Sequence, residues 1–215
     1  SDAQDALAPD STGNYQGDII ITATKRSQTL SEVPIAVSAV TGDQLRNSGA
    51  VDIRALNQLS PSLLVSSASA ETSGAARIRG IGTVGENPGL ESSVATFIDG
   101  VYRSRTGVGL SELGGVERIE VLRGPQGTLF GRNASAGLIS ITTLRPKFDI
   151  GGYASASYGN YNAIRLEGGV TGGITDKVAA RLDGVYFKRD GFIENVIDGR
   201  DVNNRDRWLL RGKVL

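Results

Sequence analysis

The segment from Val116 to Thr143 restricts the possible folds of this chain more than any other part of the sequence. Residues 116–123 read VERIEVLR, in which charged side chains alternate with β-forming ones, as in a strand of a half-buried sheet. The pattern breaks at Gly124–Pro125 and resumes in an apolar run from Leu138 to Thr142. Because Gly and Pro favour turns, the segment predicts a strand, a tight turn and a return strand.

Beyond Pro146 the sequence alternates between small or apolar residues and polar ones. Four segments show this pattern, residues 154–158, 163–170, 178–187 and 207–214. One apolar face and one polar face in strand after strand is typical of the wall of an outer-membrane β-barrel. An antiparallel sheet with one face in water has the same period, so periodicity alone leaves both alternatives open.

The connections between these segments favour the barrel. Asn160–Tyr161 and Ile174–Lys177 predict tight turns, whereas residues 188–204 form a longer polar connection. Outer-membrane barrels combine short periplasmic turns with longer outer loops. Four strands cannot close such a barrel, since the smallest bacterial examples have about eight. We therefore expect the chain to be the truncated first portion of a longer protein.

Composition excludes several classes of function. Lys plus Arg and Asp plus Glu both number 23, so net charge gives no reason to expect a nucleic-acid partner. The chain has neither Cys nor His, which excludes disulfides, Cys-based metal sites and His-dependent nucleophilic triads. No apolar run approaches the ~18 residues of a membrane-spanning helix. We expect no metal, no cofactor and no enzymatic activity.

The first half of the chain contains shorter signals. Residues 1–17 are polar and predict a tail without structure of its own, whereas Asp18–Ala23 is an isolated β-forming run. The turn pair Asp99–Gly100 ends a strand. Strands are predicted at 33–40 and 94–98, and short helices at 43–48 and 52–59.

Gly80–Gly85 spells G-x-G-x-x-G, the pattern of dinucleotide-binding loops. Such a loop needs a buried apolar strand before it and a helix opening at its last glycine. Here Arg77 and Arg79 interrupt the preceding strand, and Glu86–Gly89, which contains a proline, blocks a helix. The pattern therefore does not predict a nucleotide site.

The segment 116–143 closely resembles the most diagnostic part of the plug domain of TonB-dependent outer-membrane receptors, a phrase similar to ERIEVLRGP…LFG…A.G.I.I.T. Ile78–Gly80 matches a recurrent IRG element of that family. Ala136–Ile141 departs from the family's GGVINI by one glycine and by Ser in place of Asn.

The resemblance implies an α+β plug domain with a small mixed sheet and short helices, followed by the first antiparallel strands of a transmembrane β-barrel. It divides the chain into a periplasmic tail at 1–24, a plug domain at 25–146 and four barrel strands at 147–215. It also implies a location in the outer membrane of a Gram-negative cell, with plug and tail facing the periplasm.

The resemblance further implies three groups of functional residues. The run 18–23 resembles the TonB box, which would add as a strand to the C-terminal domain of TonB; an edge strand of the plug is the alternative. Its members are Asp18, Ile19, Ile20, Ile21, Thr22 and Ala23. Arg79 and Arg123 resemble family arginines that form a latch with glutamates of the inner barrel wall, while local pairing with Glu117 or Glu120 is the alternative.

The third group consists of candidate ligand contacts in two Gly-rich loops, Glu86, Asn87, Arg103 and Arg105. Solvated loop charges would give the same pattern. As a whole, the resemblance implies energised uptake of a scarce ligand such as a ferric siderophore, driven through TonB and its inner-membrane energising complex, in a protein surrounded by outer-membrane lipid. The alternatives are an uncoupled ligand-binding or structural barrel protein and a soluble nucleotide-binding enzyme.

Overall fold

The computed structural model of the chain describes residues 20–21, 28–29, 36–48, 57, 60, 62–66, 75–82, 92–103, 114–131, 133–194, 196 and 201–215. In chain order its elements are β1 (Ile20–Ile21), β2 (Gln28–Thr29), β3 (Val37–Thr41), α1 (Gly42–Asn47), β4 (Leu63–Ser66), β5 (Ala75–Ile78), β6 (Val94–Ile98), β7 (Val101–Arg103), β8 (Val116–Arg123), α2 (Gly127–Phe130), β9 (Gly137–Thr143), β10 (Gly151–Gly159), β11 (Ala163–Thr175), β12 (Val178–Arg189), β13 (Ile193–Glu194), β14 (Asp201–Val202) and β15 (Arg205–Val214).

The N-terminal half is organised around a five-stranded mixed sheet in the order β3-β8-β9-β6-β7. β8 is antiparallel to β3 and to β9, whereas β6 and β9 are parallel. The four residues 119–122 of β8 are all buried, so this strand is covered on both faces. Ile119 and Val121 belong to one apolar cluster, and Leu122 packs in a second cluster with Phe130 of α2. The predicted strand and return strand therefore form the centre of the sheet.

The connection between β8 and β9 differs from the tight turn that the sequence predicted. It runs from Gly124 to Ala136 and contains α2, and the chain reverses through Gly124 and Gly131, whose φ angles are 98° and 85°. The Gly-Pro signal ends β8 correctly but does not fix the length of the connection. Gly137 begins β9 at φ 151°, where a Cβ would lie 2.4 Å from the carbonyl oxygen of Leu122.

The first predicted helix is confirmed, with a shift of one residue, as α1. Thr41 caps it: the backbone amide of Gln44 donates to the Thr41 hydroxyl over 3.3 Å, and the Thr41 amide donates to the Gln44 side chain over 3.0 Å. The second predicted helix, 52–59, lies outside the described residues except for Asn57, which is helical. The Asn57 side chain bonds to both the amide and the carbonyl of Val65, at 2.8 and 3.2 Å.

The C-terminal part forms a four-stranded antiparallel sheet in the order β10-β11-β12-β15. All four strands expected from the alternating pattern are present, and each is longer than predicted. In β15 every second residue is half-buried and the residues between them are exposed. The predicted connection at 188–204 contains the short ribbon formed by β13 and β14.

The polarity of this sheet is opposite to that of a water-soluble sheet. The apolar face is the exposed one, with Trp208 at 77%, Leu210 at 65% and Val214 at 74% of full exposure. On the other face Asp183 and Arg181 are only 1% and 7% exposed. A soluble antiparallel sheet buries its apolar face, whereas a barrel wall turns that face to lipid. Of the two alternatives left open by periodicity, the sheet therefore fits the barrel wall.

Among the helices that the structure describes, none is both long and apolar enough to cross a membrane.

Candidate functional site

The two sheets meet where the chain enters β8. Here Gly114 and Gly115 lie against the charged face of the four-stranded sheet, in a contact that we call the glycine seat. A Cβ on Gly114 would lie 2.2 Å from Cγ2 of Val185, and a Cβ on Gly115 would lie 2.8 Å from Cγ of Asp183. Gly115 also has a φ of 60°, which disfavours other residues. Only a pair without side chains fits at this point.

The glycine seat is held by hydrogen bonds to the main chain. Arg211 Nη1 donates to the Gly114 carbonyl over 2.7 Å, and the Gly115 amide donates to Glu167 Oε1 over 3.3 Å. On the other side, the amide of Leu144 donates to the Gly115 carbonyl over 2.8 Å. Side chains of the wall-like sheet thus bind backbone groups of the N-terminal half.

Behind the glycine seat lies a buried network of charged side chains. Arg181 forms a two-pronged pair with Asp183, at 2.7 Å from Nε and 2.6 Å from Nη2. Arg165 pairs with Glu167 over 3.1 Å. The Tyr153 hydroxyl donates to this pair of carboxylates, 3.1 Å from Glu167 and 3.3 Å from Asp183. Such pairing is what permits charges to be buried at all.

The network depends on a missing side chain within the sheet. Gly169 of β11 is the register partner of Asp183. A Cβ there would lie 2.2 Å from Asp183 Oδ1 and 2.7 Å from Cε1 of Tyr153. The glycine therefore leaves the space that the carboxylate and the phenol ring occupy.

A second contact joins the two sheets at the end of β9. Lys213 Nζ lies 3.0 Å from Asp99 Oδ2 and donates to the Thr143 carbonyl over 3.1 Å. Asp99 also accepts from the amide of Thr143 at 2.8 Å and from its hydroxyl at 2.7 Å. Burial raises the pKa of Asp99, but the Thr143 hydrogen bonds and Lys213 together lower it below its ordinary value.

A third contact fixes the segment that links the sheets. The amide of Lys147 donates to Thr171 Oγ1 over 2.8 Å, and the amide of Gly173 donates to the Phe148 carbonyl over 2.9 Å. The chain is thus held against β11 just before it enters β10. The three contacts together make the junction of the two sheets the best-defined candidate site in the described part of the chain.

Glu117 and Glu120, predicted members of the latch, are both bound by Arg118 of the same strand. Glu120 is fully buried and accepts from Arg118 Nε over 2.8 Å. Arg123 ends β8 and donates from Nε to the Ala36 carbonyl over 3.3 Å. Arg79 lies in an exposed turn with a φ of 54°. The latch role of the two arginines stays a prediction.

The remaining predicted residues are less well described. Ile20 and Ile21 pair with Thr29 and Gln28 in a short antiparallel ribbon, while Asp18, Ile19, Thr22 and Ala23 lie outside the described residues. Arg103 is exposed at the end of β7. Glu86, Asn87 and Arg105 lie outside the described residues.

Gly80–Gly82, the described part of the G-x-G-x-x-G pattern, overlaps a turn whose two ends, Ile78 and Ile81, bridge to each other. No cluster of three or more His, Cys, Asp or Glu that could hold a metal ion occurs in the parts of the chain that the structure describes. The junction holds its charges in pairs, an arrangement suited to binding one part of the protein to another.

The sequence predictions missed the glycine seat and the buried network. A signal was present, because Arg118-x-Glu120, Arg165-x-Glu167 and Arg181-x-Asp183 repeat one spacing. Residues two apart in a strand lie on the same face, so each motif places opposite charges side by side. The Gly-Gly pair directly before a charged strand is a further signal of close backbone approach.

Comparisons with known proteins agree with this architecture. Residues 29–138, about half of the chain, match the family profile described as the TonB-dependent receptor plug domain. The chain is 26% identical over 191 residues to the pesticin receptor of Yersinia pestis, covering 87% of this chain and 27% of that protein. It is 31% identical over 169 residues to the ferrioxamine B receptor of Salmonella typhimurium, covering 76% of this chain and 23% of that protein. The chain thus spans about a quarter of the length of these curated relatives.

Among solved structures, that of the ferric yersiniabactin uptake receptor of Yersinia pestis superposes with a TM-score of 0.77 at 23% identity. The superposition covers 84% of this chain and 28% of that one, so the plug and the antiparallel strands that follow it share that fold. The matched proteins are receptors and not enzymes. From the family profile and the shared architecture, we conclude that the chain belongs to the TonB-dependent receptors.

Proposed function

We propose that the chain forms the plug and the first wall strands of an outer-membrane transporter that takes up an iron chelate with energy delivered through TonB. The observation that carries the proposal is the inverted polarity of the four-stranded sheet, whose charged face is closed by the plug. An apolar outer face suits lipid, and a charged inner face filled by a second domain suits a plugged barrel. The ligand class is supported by the relatives, which include receptors for ferrioxamine B and ferric yersiniabactin.

The proposal assigns one task to each part of the chain. Residues 1–24 form the periplasmic tail, 25–146 the plug and 147–215 the first four wall strands. The TonB-binding segment is 18–23. A β-prone strand can add to the open sheet edge of a partner. The short ribbon of β1 and β2 supports this. It has only two residue pairs, so its pairing competes weakly with addition of the segment to a partner's sheet.

The plug must stay in place at rest and rearrange when pulled. Hydrogen bonds from charged side chains to backbone groups and a half-buried ion pair suit both needs, because each adds little net stability while loss of one partner leaves the other polar group unpaired. We assign the resting hold to the glycine seat and to the Asp99–Lys213 contact. Arg79 and Arg123 would form the latch toward the rest of the barrel, and Glu86, Asn87, Arg103 and Arg105 would face the ligand.

The experiment that tests coupling uses the full-length receptor in iron-limited cells. Ile20→Pro should abolish uptake of the ferric ligand while leaving its binding to whole cells intact, since Pro removes a backbone donor needed for strand addition. Ala6→Pro, in the polar tail before the segment, is the matched control and should change neither quantity. Normal transport by the Ile20→Pro receptor would favour an uncoupled barrel protein and contradict the proposal.

A further inference from the structure

Arg211 lies at the boundary between the plug and the wall and has two acceptors within reach. It belongs to β15 and is half-buried on the inner face. In the structure its Nη1 donates to the Gly114 carbonyl over 2.7 Å. Its register partner on β12 is Asp183. Residues directly opposite each other on antiparallel strands have Cβ atoms about 4.5–5.5 Å apart, a distance that the long arginine side chain can span.

Asp183 has room to accept one more donor. This buried carboxylate holds the Arg181 guanidinium through both oxygens, at 2.6 Å to Oδ1 and 2.7 Å to Oδ2. The Tyr153 hydroxyl also donates to Oδ1, over 3.3 Å. A carboxylate offers about four acceptor positions, two on each oxygen. Within the described structure, Oδ2 therefore uses one position and has one available.

The row of residues in register across the sheet brings donors toward this carboxylate. Tyr153, Gly169, Asp183 and Arg211 lie opposite one another on the four strands. Because Gly169 has no side chain, Tyr153 reaches Asp183 across it. The glycine seat covers the carboxylate, since a Cβ on Gly115 would lie 2.8 Å from Cγ of Asp183. Withdrawal of the seat would thus uncover Asp183 and release Arg211 in a single step.

A plug that leaves the glycine seat takes away the acceptor of Arg211. A half-buried guanidinium without an acceptor would make this step costly, because its charge would be left uncompensated. Pairing with Asp183 restores the compensation, since guanidinium and carboxylate form strong, charge-assisted hydrogen bonds. Much of the cost of opening the seat is then returned within the wall itself.

Lys213, two residues further along β15, lacks this alternative. It lies 3.0 Å from Asp99 and donates to the Thr143 carbonyl over 3.1 Å, and both partners belong to the plug. Its register partner is a second cation, Arg181, which is followed across the sheet by Thr171. In the described part of the chain this row contains no carboxylate. Opening therefore costs more at Lys213 than at the glycine seat.

We infer that Arg211 exchanges partners during transport: it binds the Gly114 carbonyl in the resting receptor and pairs with Asp183 once the plug has left the glycine seat. The exchange makes the seat the first part of the junction to open, while Lys213 keeps the end of β9 attached to the wall. The inference rests on the proposed uptake function, because it concerns movement of the plug. It gives Arg211 a part in releasing the plug as well as in holding it.

Amide exchange of the purified full-length receptor measures the opening of the two contacts separately. Asp183→Asn should slow exchange at residues 114–116 by about tenfold, because the opened state alone loses the pair with Arg211. The bonds of Asp183 to its other donors are lost equally from both states. Asp99→Asn should have the opposite effect and accelerate exchange at Thr143, since it weakens the closed state alone. Asp206→Asn, on the outward face of β15, is the matched control and should change neither rate.

The same substitution in an Arg211→Gln receptor identifies the partner. With Arg211 replaced, Asp183→Asn should no longer slow exchange at residues 114–116. A carboxylate that merely supports the seat predicts instead that Asp183→Asn accelerates exchange, whether or not Arg211 is present. Acceleration of this kind, or equal slowing in both backgrounds, would overturn the inference.

A structure of the displaced state tests the exchange with Asp183 unchanged. Gly114→Leu combined with Gly115→Leu cannot occupy the seat, because even a Cβ at these positions would clash with Val185 and Asp183. In this receptor the Arg211 guanidinium should lie within about 4 Å of the Asp183 carboxylate. An Arg211 that contacts any other group would refute the exchange. If both measurements agree with the exchange but uptake of the ferric ligand needs no energy, the proposed transport fails and the exchange of partners stands.

Discussion

Replacement of Gly115 by alanine should loosen the plug from the wall without unfolding the barrel. At a φ of 60° a residue with a Cβ costs about 1–2 kcal/mol. The new Cβ would also lie 2.8 Å from the carboxylate carbon of Asp183, and inserting a group into a packed site costs about 1–3 kcal/mol. Together these costs should lower the free energy needed to open the plug–wall contact locally by roughly 2–5 kcal/mol.

Amide hydrogen exchange of the full-length receptor measures this opening directly. A loss of about 3 kcal/mol corresponds to exchange faster by roughly a hundredfold. The acceleration should be confined to residues 114–123 and 137–144, while β10, β11, β12 and β15 stay protected. The barrel should keep its heat-resistant mobility in gels, since the wall strands retain their own hydrogen bonds.

Gly80→Ala is the matched control for backbone strain. Gly80 has a φ of 79°, and nothing lies within 4 Å of the position that its Cβ would take. This variant should show the conformational cost alone, with no change at the plug–wall contact. Equally accelerated amide exchange in the two variants, or no acceleration in Gly115→Ala, would refute the idea that the glycine seat requires residues without a Cβ.

Three further predictions concern the charged contacts. Arg118→Ala should destabilise the plug by roughly 3–5 kcal/mol in chemical unfolding, because it leaves the buried Glu120 carboxylate without this partner; Arg118→Ala combined with Glu120→Gln should recover part of the loss. Because the pKa of Asp99 is lowered in the folded protein, its contribution to stability is complete above the ordinary value of 3.8. This contribution is lost as the pH falls through the lower, folded pKa. Asp99→Asn should therefore reduce the acid-induced acceleration of amide exchange at Thr143. Arg123→Ala should speed exchange across 116–143 with the barrel intact, and Arg123→Lys should restore it only in part; exchange identical to wild type in Arg123→Ala would contradict the latch.

Local periodicity predicted the strands well, because each strand of this fold has one dominant environment on each face. The alternation of Trp208, Leu210 and Val214 with polar residues identified a strand with one apolar face, and the direction of burial in the structure decided that this face is the outer one. The turn at Asp99–Gly100 was predicted correctly because Asp and Gly tolerate the positive φ angles that such turns require. In the structure these angles are 50° and 78°.

Contacts between distant parts of the chain could not be predicted in the same way. Nothing in the sequence around Lys213 indicates Asp99 as its partner, since their approach depends on how one sheet docks on the other. The length of the connection holding α2 was missed for a related reason: a Gly-Pro break marks where a strand ends and carries no information on where the next begins. Local pairing with Glu117 or Glu120 was the alternative to the latch for Arg79 and Arg123, and in the structure the neighbouring Arg118 binds both glutamates.

The glycine seat has a consequence for how such receptors could be recombined. The wall contacts the plug there through backbone carbonyl and amide groups, which every sequence possesses, and through two positions that must lack side chains. Recognition at this point therefore depends on the backbone shape of the plug and hardly at all on the identity of its side chains. A plug transplanted from another receptor should dock on this wall wherever it brings two glycines to the entrance of its central strand. Domain exchange would then be limited by the contacts that depend on side chains, such as Asp99 with Lys213.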